Sequence, residues 1–291
     1  MKKIEEIDKS ILKNNFEIRP LNSRKYDYGL LVVIGGSDFY SGSPALSSMA
    51  AFKSGVDMVR IIAPKRAADI IASFSPILSA YPLNGKRVGM DHLSTLVSMI
   101  ESAKQVSRGN SAVVLGGGIG QTEETQETII KTISQTDTPI VIDADAIYAV
   151  SKRKEILKDK KCLLTPHYYE FFILTGKDIY EFSLEDKIKT VEEEALKLNV
   201  TIILKGEIDI ISDGKRTAIN KIGSPYLTVG GCGDTLAGIA GALVSKGNDL
   251  FDSASGAAYI NSSAGVLAAK TLKSSVTAFD LIEKIPNIIN S

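Results

Sequence analysis

The chain has 291 residues, of which 44% are hydrophobic and 23% charged, the balance of an ordinary globular protein and not of a disordered one. Its 34 Lys and Arg are matched by 34 Asp and Glu, so no net charge draws it to nucleic acid or an anionic membrane, and any anionic ligand must be held by local geometry. Two cysteines, Cys162 and Cys232, are too few for a disulfide framework, and two histidines, His92 and His167, lie too far apart to suggest a structural zinc site.

The opening Met1-Lys2-Lys3-Ile4-Glu5-Glu6 mixes charges and lacks the apolar core of a secretory signal. Together with the sparse cysteines this leads to the expectation of a cytoplasmic protein. The stretch before Gly29 is polar and is expected to wrap the surface. Leu31 to Ile34 then reads as a buried strand, too short to cross a bilayer, followed by a helical pattern from Pro44 to Ser54. Further strands are expected at Met58–Ile62, Ile77–Ala80, Ala112–Leu115, Ile140–Ile142, Leu163–Leu164 and Thr201–Leu204, with helices such as Glu123–Ser134 and Leu184–Leu198 between them. Continuous apolar strands separated by helices imply a mostly parallel sheet covered on both faces, a three-layer α/β/α fold. After Lys205 the pattern changes. Ile208–Ser212 and Thr217–Lys221, joined across Asp213-Gly214, read as a hairpin with a tight primed turn. Helices are expected at Thr235–Ser245, Phe251–Leu272 and Ala278–Ile285. No linker or repeat interrupts the series, so one domain is expected over residues 1–291, with 1–24 peripheral.

In an open parallel sheet, ligands bind outside the carboxyl ends of the strands. The unusual residues of this chain follow its expected strands directly. Gly35-Gly36-Ser37 comes after the first, Gly116 to Gly120 after Leu115, and Asp143-Ala144-Asp145 after Ile142. Thr165-Pro166-His167 follows Leu164, and Lys205-Gly206 follows Leu204. Parallel strands would bring all of these to one rim.

The sharpest signal is Gly230-Gly231-Cys232-Gly233-Asp234, with a helix behind it. Amides of Gly231, Cys232 and Gly233 turned inward at a helix start would form an anion hole for a phosphate in transit. Asp234 is then placed to take a proton from a hydroxyl attacking that phosphate; the plainer reading makes it a helix N-cap. Lys205 could set a cation beside a nucleotide phosphate, although a strand-end lysine is more often simply solvated. His167 could donate to a phosphate or ribose, and Glu170 could hold Mg²⁺ through water, or the two could merely serve a helix start. Asp143 reads as the ligand-side carboxylate, because Asp145 also suits a helix cap. Cys232 sits where a helix dipole could activate a thiol, but with no histidine near it in sequence it reads as a packing choice. His92 reads as structural.

This set of motifs resembles the ADP/ATP-dependent NAD(P)H-hydrate dehydratase family of the ribokinase-like superfamily, from about Arg24 to Ile285. The residues that carry the resemblance are Lys25 to Gly29, Ile34 to Pro44, Ala50-Ala51, Gly55, Gly116 to Gly120, Asp143 to Ile147, Thr165 to His167, Lys205-Gly206 and Gly230 to Gly238. The resemblance implies a ribokinase-like fold. It also implies repair of NADH or NADPH hydrated at C6, using ADP or ATP as phosphoryl donor with Mg²⁺. Asp234 would be the general base and would also contact the substrate. Lys205, Gly206, Glu207, Ile208, Asp209, Gly231, Cys232 and Gly233 would hold the nucleotide, and Ser43, Gly118 and His167 the hydrated cofactor. A homotetramer is implied, working with a separate epimerase, since the polar start is too short for the epimerase domain that many relatives carry. The chain departs from the family pattern at Ser43 (alanine), Gly117 (proline), Tyr168-Tyr169 (Pro-Gly) and Val229 (threonine); none removes the acid or the anion hole. Two other readings fit parts of the pattern: a vitamin or sugar kinase of the same superfamily, and a non-catalytic nucleotide-binding sensor.

Overall fold

The computed structural model describes residues 4–291, so the Met1-Lys2-Lys3 part of the signal-peptide reading lies outside the described residues. One ten-stranded sheet runs through the molecule in the order β1-β10-β9-β8-β7-β6-β5-β2-β3-β4. The strands are β1 (Glu5–Glu6), β2 (Leu30–Ile34), β3 (Met58–Pro64), β4 (Ser79–Leu83), β5 (Ser111–Leu115), β6 (Ile140–Ile142), β7 (Cys162–Leu164), β8 (Thr201–Leu204), β9 (Asp209–Ser212) and β10 (Thr217–Asn220). Strands β2 to β8 are parallel to their neighbours, whereas β9 and β10 form an antiparallel hairpin against β8.

The pattern of β2 shows why the sheet is covered twice. All five of its residues are buried. Successive side chains on a strand point to opposite faces, so Leu31 and Val33 enter one apolar core while Leu30, Val32 and Ile34 enter the other. Full burial of each such side chain contributes about 1.5–3 kcal/mol. The first core packs under helices Gly42–Lys53, Lys65–Phe74, Cys232–Ser245, Leu250–Leu272 and Ala278–Ile289; the second packs under Leu93–Val106, Glu123–Ser134, Asp145–Ser151, Tyr168–Thr175 and Leu184–Leu198. This is the expected three-layer α/β/α arrangement.

From β2 the chain builds outward through β3 to β4, then returns to build the other way through β5, β6, β7 and β8. The order therefore reverses between β2 and β5. That crevice is where an open α/β sheet offers a ligand site.

Three local expectations are corrected. The fourth strand lies at Ser79–Leu83 and not Ile77–Ala80, because Pro76 sits in a turn closed by Leu78 N–H to Ser75 O (3.1 Å). Asp213-Gly214 belongs to a four-residue connection rather than a two-residue turn, since Ser212 pairs with Thr217. The Asp213 carboxylate shapes it by accepting the Lys215 and Arg216 amides at 2.9 and 2.6 Å. The segment before Gly29 does more than wrap the surface: β1 adds to β10, and Ile7, Leu12 and Asn15 are buried.

Candidate active site

At the switch point the loops after β2 and β5 touch, with Gly36 N–H donating to Gly117 O at 2.9 Å. The approach of the β5 loop to β6 is closer still. Gly116 has φ +132°, and a Cβ there would lie 1.9 Å from Asp143 O, so no side chain fits. Beside this junction Ser43 rises in the first turn of helix Gly42–Lys53 and hydrogen-bonds the Asp234 carboxylate. A Cβ on Gly117 would stand 3.1 Å from Asp234 Oδ1 and 2.9 Å from Ser43 Cβ, so the glycine leaves room between them.

Helix Cys232–Ser245 starts three residues earlier than its apolar pattern suggests, with Gly231 as N-cap at φ +98°. Asp234 is therefore not the cap. It lies in the first turn with its side chain free for the site, and Ser47 Oγ anchors its backbone carbonyl at 2.9 Å. The first regular bond of this helix is Thr235 N–H to Gly231 O at 3.0 Å, so the amides of Gly233 and Asp234 precede the helical ladder. Cys232 N–H reaches Val229 O at a long 3.5 Å. Burial pushes the Asp234 carboxyl up to about 7; Asp143 adds to the rise, against the Ser43 bond and the Lys205 charge. Burial likewise pushes the Cys232 thiol up to about 11, with Asp234 adding to it, which removes the nucleophile reading.

The ends of β6, β7 and β8 supply a charge cluster. Lys205 Nζ lies 3.1 Å from Asp143 Oδ1 and 3.7 Å from Glu170 Oε2, and Thr165 Oγ1 donates to Asp143 Oδ1 at 2.6 Å. Lys205 is thus paired and not simply solvated. Burial works to lower its pKa, but Asp143 and Glu170 outweigh it and hold the ammonium above its ordinary range. A Cβ on Gly233 would come 3.5 Å from Lys205 Nζ, which puts the ammonium at the start of helix Cys232–Ser245.

His167 and Glu170 form a capping box. Glu170 Oε2 accepts His167 N–H at 2.9 Å, and His167 Nδ1 accepts Glu170 N–H at 3.2 Å. Accepting at Nδ1 places the proton of a neutral ring on Nε2, on a side chain that is half exposed. Burial raises the Glu170 carboxyl, Lys205 opposes the rise and Asp143 reinforces it. Asp145 is likewise not a cap: Ala144, at φ 48°, is the cap residue, and Asp145 accepts Gly120 N–H (2.9 Å) and Gln121 Nε2 (2.8 Å). His92 is structural, tying Gly89 N–H to Nδ1 (3.0 Å) and facing Asn84 O through Nε2 (2.8 Å).

Beyond Gly233 opens a cleft of about 740 Å³. Lys205, Gly206, Glu207, Asp209, Cys232 and Gly233 line it. Ile208 packs onto the core instead, and Gly231 is pinned between Leu46 and Ala278. Asp209 organises the turn by accepting Gly206 N–H (3.1 Å) and Asn220 Nδ2 (3.0 Å); burial pushes its carboxyl up to about 6. Tyr168 supports the same turn, its hydroxyl 2.8 Å from where a Gly206 Cβ would be, while Tyr169 is exposed. Gly118, at φ +64°, lies under the Tyr40 ring.

Sequence reasoning missed the far wall of the cleft, formed by the short helix Pro225–Thr228 with Asn261 and Ser262. Asn261 accepts Thr235 Oγ1 at 2.7 Å and donates to Cys232 O at 3.3 Å. The signal was Asn261-Ser262-Ser263, a polar interruption in an Ala-rich helix. Thr165 was quoted only as part of a motif, and its bond to Asp143 was not foreseen.

Among the described residues no group of three or more His, Cys, Asp or Glu has the arrangement to hold a metal by itself. The donors do fit a Mg²⁺ that arrives on nucleotide phosphates and keeps its waters. Asp143, Glu170 and Asp234 are three carboxyls around the Lys205 ammonium.

Comparison with known proteins agrees with this geometry. The family model described as NAD(P)H-hydrate dehydratase matches residues 31–287. The ADP-dependent (S)-NAD(P)H-hydrate dehydratase of Cenarchaeum symbiosum is 36% identical over 93% of this chain and 92% of its own length. The bifunctional NAD(P)H-hydrate repair enzyme of Pyrobaculum aerophilum is 39% identical over 93% of this chain, which spans only 52% of that relative. Among solved structures, a ribokinase-like superfamily protein from Enterococcus faecalis superposes with TM-score 0.84 at 24% identity, covering 100% of this chain and 96% of that one. The ADP/ATP-dependent NAD(P)H-hydrate dehydratase of Bacillus subtilis, co-crystallised with ATP and Mg²⁺, gives TM-score 0.83 at 22% identity over 100% of this chain and 99% of its own. The fold is thus ribokinase-like, and the chain belongs to the NAD(P)H-hydrate dehydratase family.

Proposed function

We propose that this protein restores NADH and NADPH from their (6S)-hydrates, spending one ADP or ATP per turnover. The observation that carries the reading is Asp234, a half-buried residue at a helix start whose carboxyl is pushed up to about 7, between the Ser43–Gly117 crevice and the nucleotide-sized cleft. A base poised near neutral pH is what proton removal from a hydroxyl requires, and such a group contributes roughly 10²–10⁴-fold in rate.

Hydroxide is a poor leaving group, so the C6 hydroxyl is first converted to a phosphate ester. Asp234 takes the hydroxyl proton as the oxygen attacks the terminal phosphorus of the nucleotide. The bond to the bridging oxygen breaks, and AMP or ADP departs. The Gly233 and Asp234 amides, which precede the helical ladder, and the Lys205 ammonium face the negative charge of the transferring group. The ring nitrogen lone pair then expels phosphate from C6, and loss of a C5 proton restores the dihydropyridine. Mg²⁺ arriving with the nucleotide would neutralise its phosphates, and Glu170 would be the residue to hold it through water. Ser43, Gly118 and His167 border the space for the hydrated ring, and Lys205 to Asp209 with Gly233 border the nucleotide.

The same reading includes cytoplasmic location, a homotetramer and a separate epimerase that supplies the reactive epimer. No described helix is long and apolar enough to cross a membrane. The reading is tested by giving the purified protein hydrated NADH, Mg²⁺ and either nucleotide. Reduced-nicotinamide absorbance should return with release of one phosphate per nucleotide consumed. A stable phosphorylated product without phosphate release would instead mark a small-molecule kinase, and binding without turnover a sensor.

A further inference from the structure

The rim continues past the crevice, over the carboxyl ends of β3 and β4, where the chemistry above uses no residue. There the loop Ser37–Tyr40 presents Phe39, 89% exposed, and Tyr40, 49% exposed. An aromatic side chain so open at the mouth of a site has given up burial that a core position would supply. The loop is tied down. Asp38 N–H donates to Lys86 O at 2.8 Å, Arg66 Nη1 donates to Asp38 O at 2.6 Å, and Ser37 N–H donates to Tyr40 O at 2.8 Å. These bonds fix the aromatic pair against two cationic segments: Lys65-Arg66 after β3, and Lys86-Arg87 after β4.

Lys65 is taken by Asp69 at 2.7 Å. Arg66, Lys86 and Arg87 are exposed and have no carboxylate partner among the described residues. The acids nearest in the hydrogen-bond network are Asp38 and Glu124, the latter accepting Met90 N–H at 3.3 Å. Three cations without an ion-pair partner thus stand beside the Asp38 loop on a chain with no net charge. Strands lie about 4.8 Å apart, so β4 is about 10 Å from β2 and the crevice. An extended pyrophosphate bridge with its ribose covers that span.

We propose that Phe39, Arg66, Lys86 and Arg87 form a subsite for the adenosine end of the hydrated dinucleotide, the cations reading the 2′-phosphate that sets NADPH hydrate apart from NADH hydrate. The inference rests on the dehydratase reading and adds to it the choice between the two hydrates. A phosphate monoester carries about −1.5 to −2 charge at neutral pH, and Arg forks suit it. Phe39 offers its face to the adenine that both hydrates share.

The test is steady-state kinetics with both hydrates on wild type, Lys86→Glu/Arg87→Glu and Phe39→Ala, each first shown to unfold at the wild-type temperature. In the charge-reversed variant KM for NADPH hydrate should rise by about tenfold or more, while that for NADH hydrate changes less than about threefold and kcat stays the same for both. Added salt should erode the wild-type preference for NADPH hydrate. Phe39→Ala should raise KM for the two hydrates alike. Equal shifts for both hydrates on charge reversal, or no shift, would overturn the subsite while leaving the dehydratase reading intact. Failure of the wild type to turn over either hydrate would remove both.

Discussion

Lys205 Nζ and Asp143 Oδ1 stand 3.1 Å apart across the ends of β8 and β6, and this pair joins the cleft beyond Gly233 to the junction of the β5 and β6 loops. Asp143 is almost fully buried and Lys205 largely so. Between them they fix where positive charge meets the first turn of helix Cys232–Ser245.

Removing one partner of a buried pair leaves an uncompensated charge, at a cost of about 3–5 kcal/mol. Lys205→Met should therefore destabilise the protein by several kcal/mol in urea unfolding. Adding Asp143→Asn should recover part of that loss, since the orphaned carboxylate is gone. Additive effects would show that the two groups do not interact.

Gly233→Ala separates folding from chemistry. A Cβ there meets only Lys205 Nζ at an ordinary 3.5 Å, in a helical position where alanine is favoured by up to about 1 kcal/mol. Thermal stability should hold or rise. Turnover should nevertheless fall by roughly 10²-fold or more, because the methyl group crowds the anion hole. Unchanged turnover would place the phosphoryl group elsewhere.

Gly116→Ala should behave in the opposite way. Its φ of +132° and the 1.9 Å approach to Asp143 O force the β5 loop away from β6. The strained backbone alone costs about 1–3 kcal/mol, and the clash adds to it. Denaturant unfolding should show the loss, with activity falling in step.

The raised Asp234 carboxyl fixes two signs. Activity should climb with pH up to about 7 and then level off, as the base becomes ionised. Stability runs the other way. Because the folded-state pKa lies above the ordinary value, the folded protein holds the proton between pH near 4 and about 7, and Asp234's contribution is lost as pH rises through that window. Asp234→Asn should consequently gain melting temperature relative to wild type at pH 8, with the gap closing towards pH 5. A gap that widens at low pH would mean the carboxyl is stabilised as the charged form.

Much of this was legible because parallel strands bring every strand-end motif to one rim. Gly35-Gly36, Gly116 to Gly120, Asp143, His167 and Lys205 needed only the apolar runs before them to be placed. Helix caps were less legible, since Asp145 and Asp234 have the right residue type, yet Ala144 and Gly231 take the cap positions. The Lys205 pairing was hidden because its partners are distant in sequence, Glu170 on a helix and Asp143 in the loop after β6, 62 residues away. The far wall of the cleft was hidden for a similar reason: Pro225–Thr228 has no periodicity, and Asn261 looks like any polar residue until its helix is docked. Ile208 matched a nucleotide-contact position by sequence, and its partly buried side chain packs against the core.

The central claim is that Asp234 removes the hydroxyl proton while the neighbouring amides hold the phosphoryl group. Its most direct test compares wild type with Asp234→Asn in recovery of reduced-nicotinamide absorbance from hydrated NADH, alongside calorimetric binding of Mg²⁺-ADP and Mg²⁺-ATP. The account predicts nucleotide affinity within about threefold of wild type and turnover reduced by at least about 10²-fold. Turnover close to wild type in the variant would contradict it.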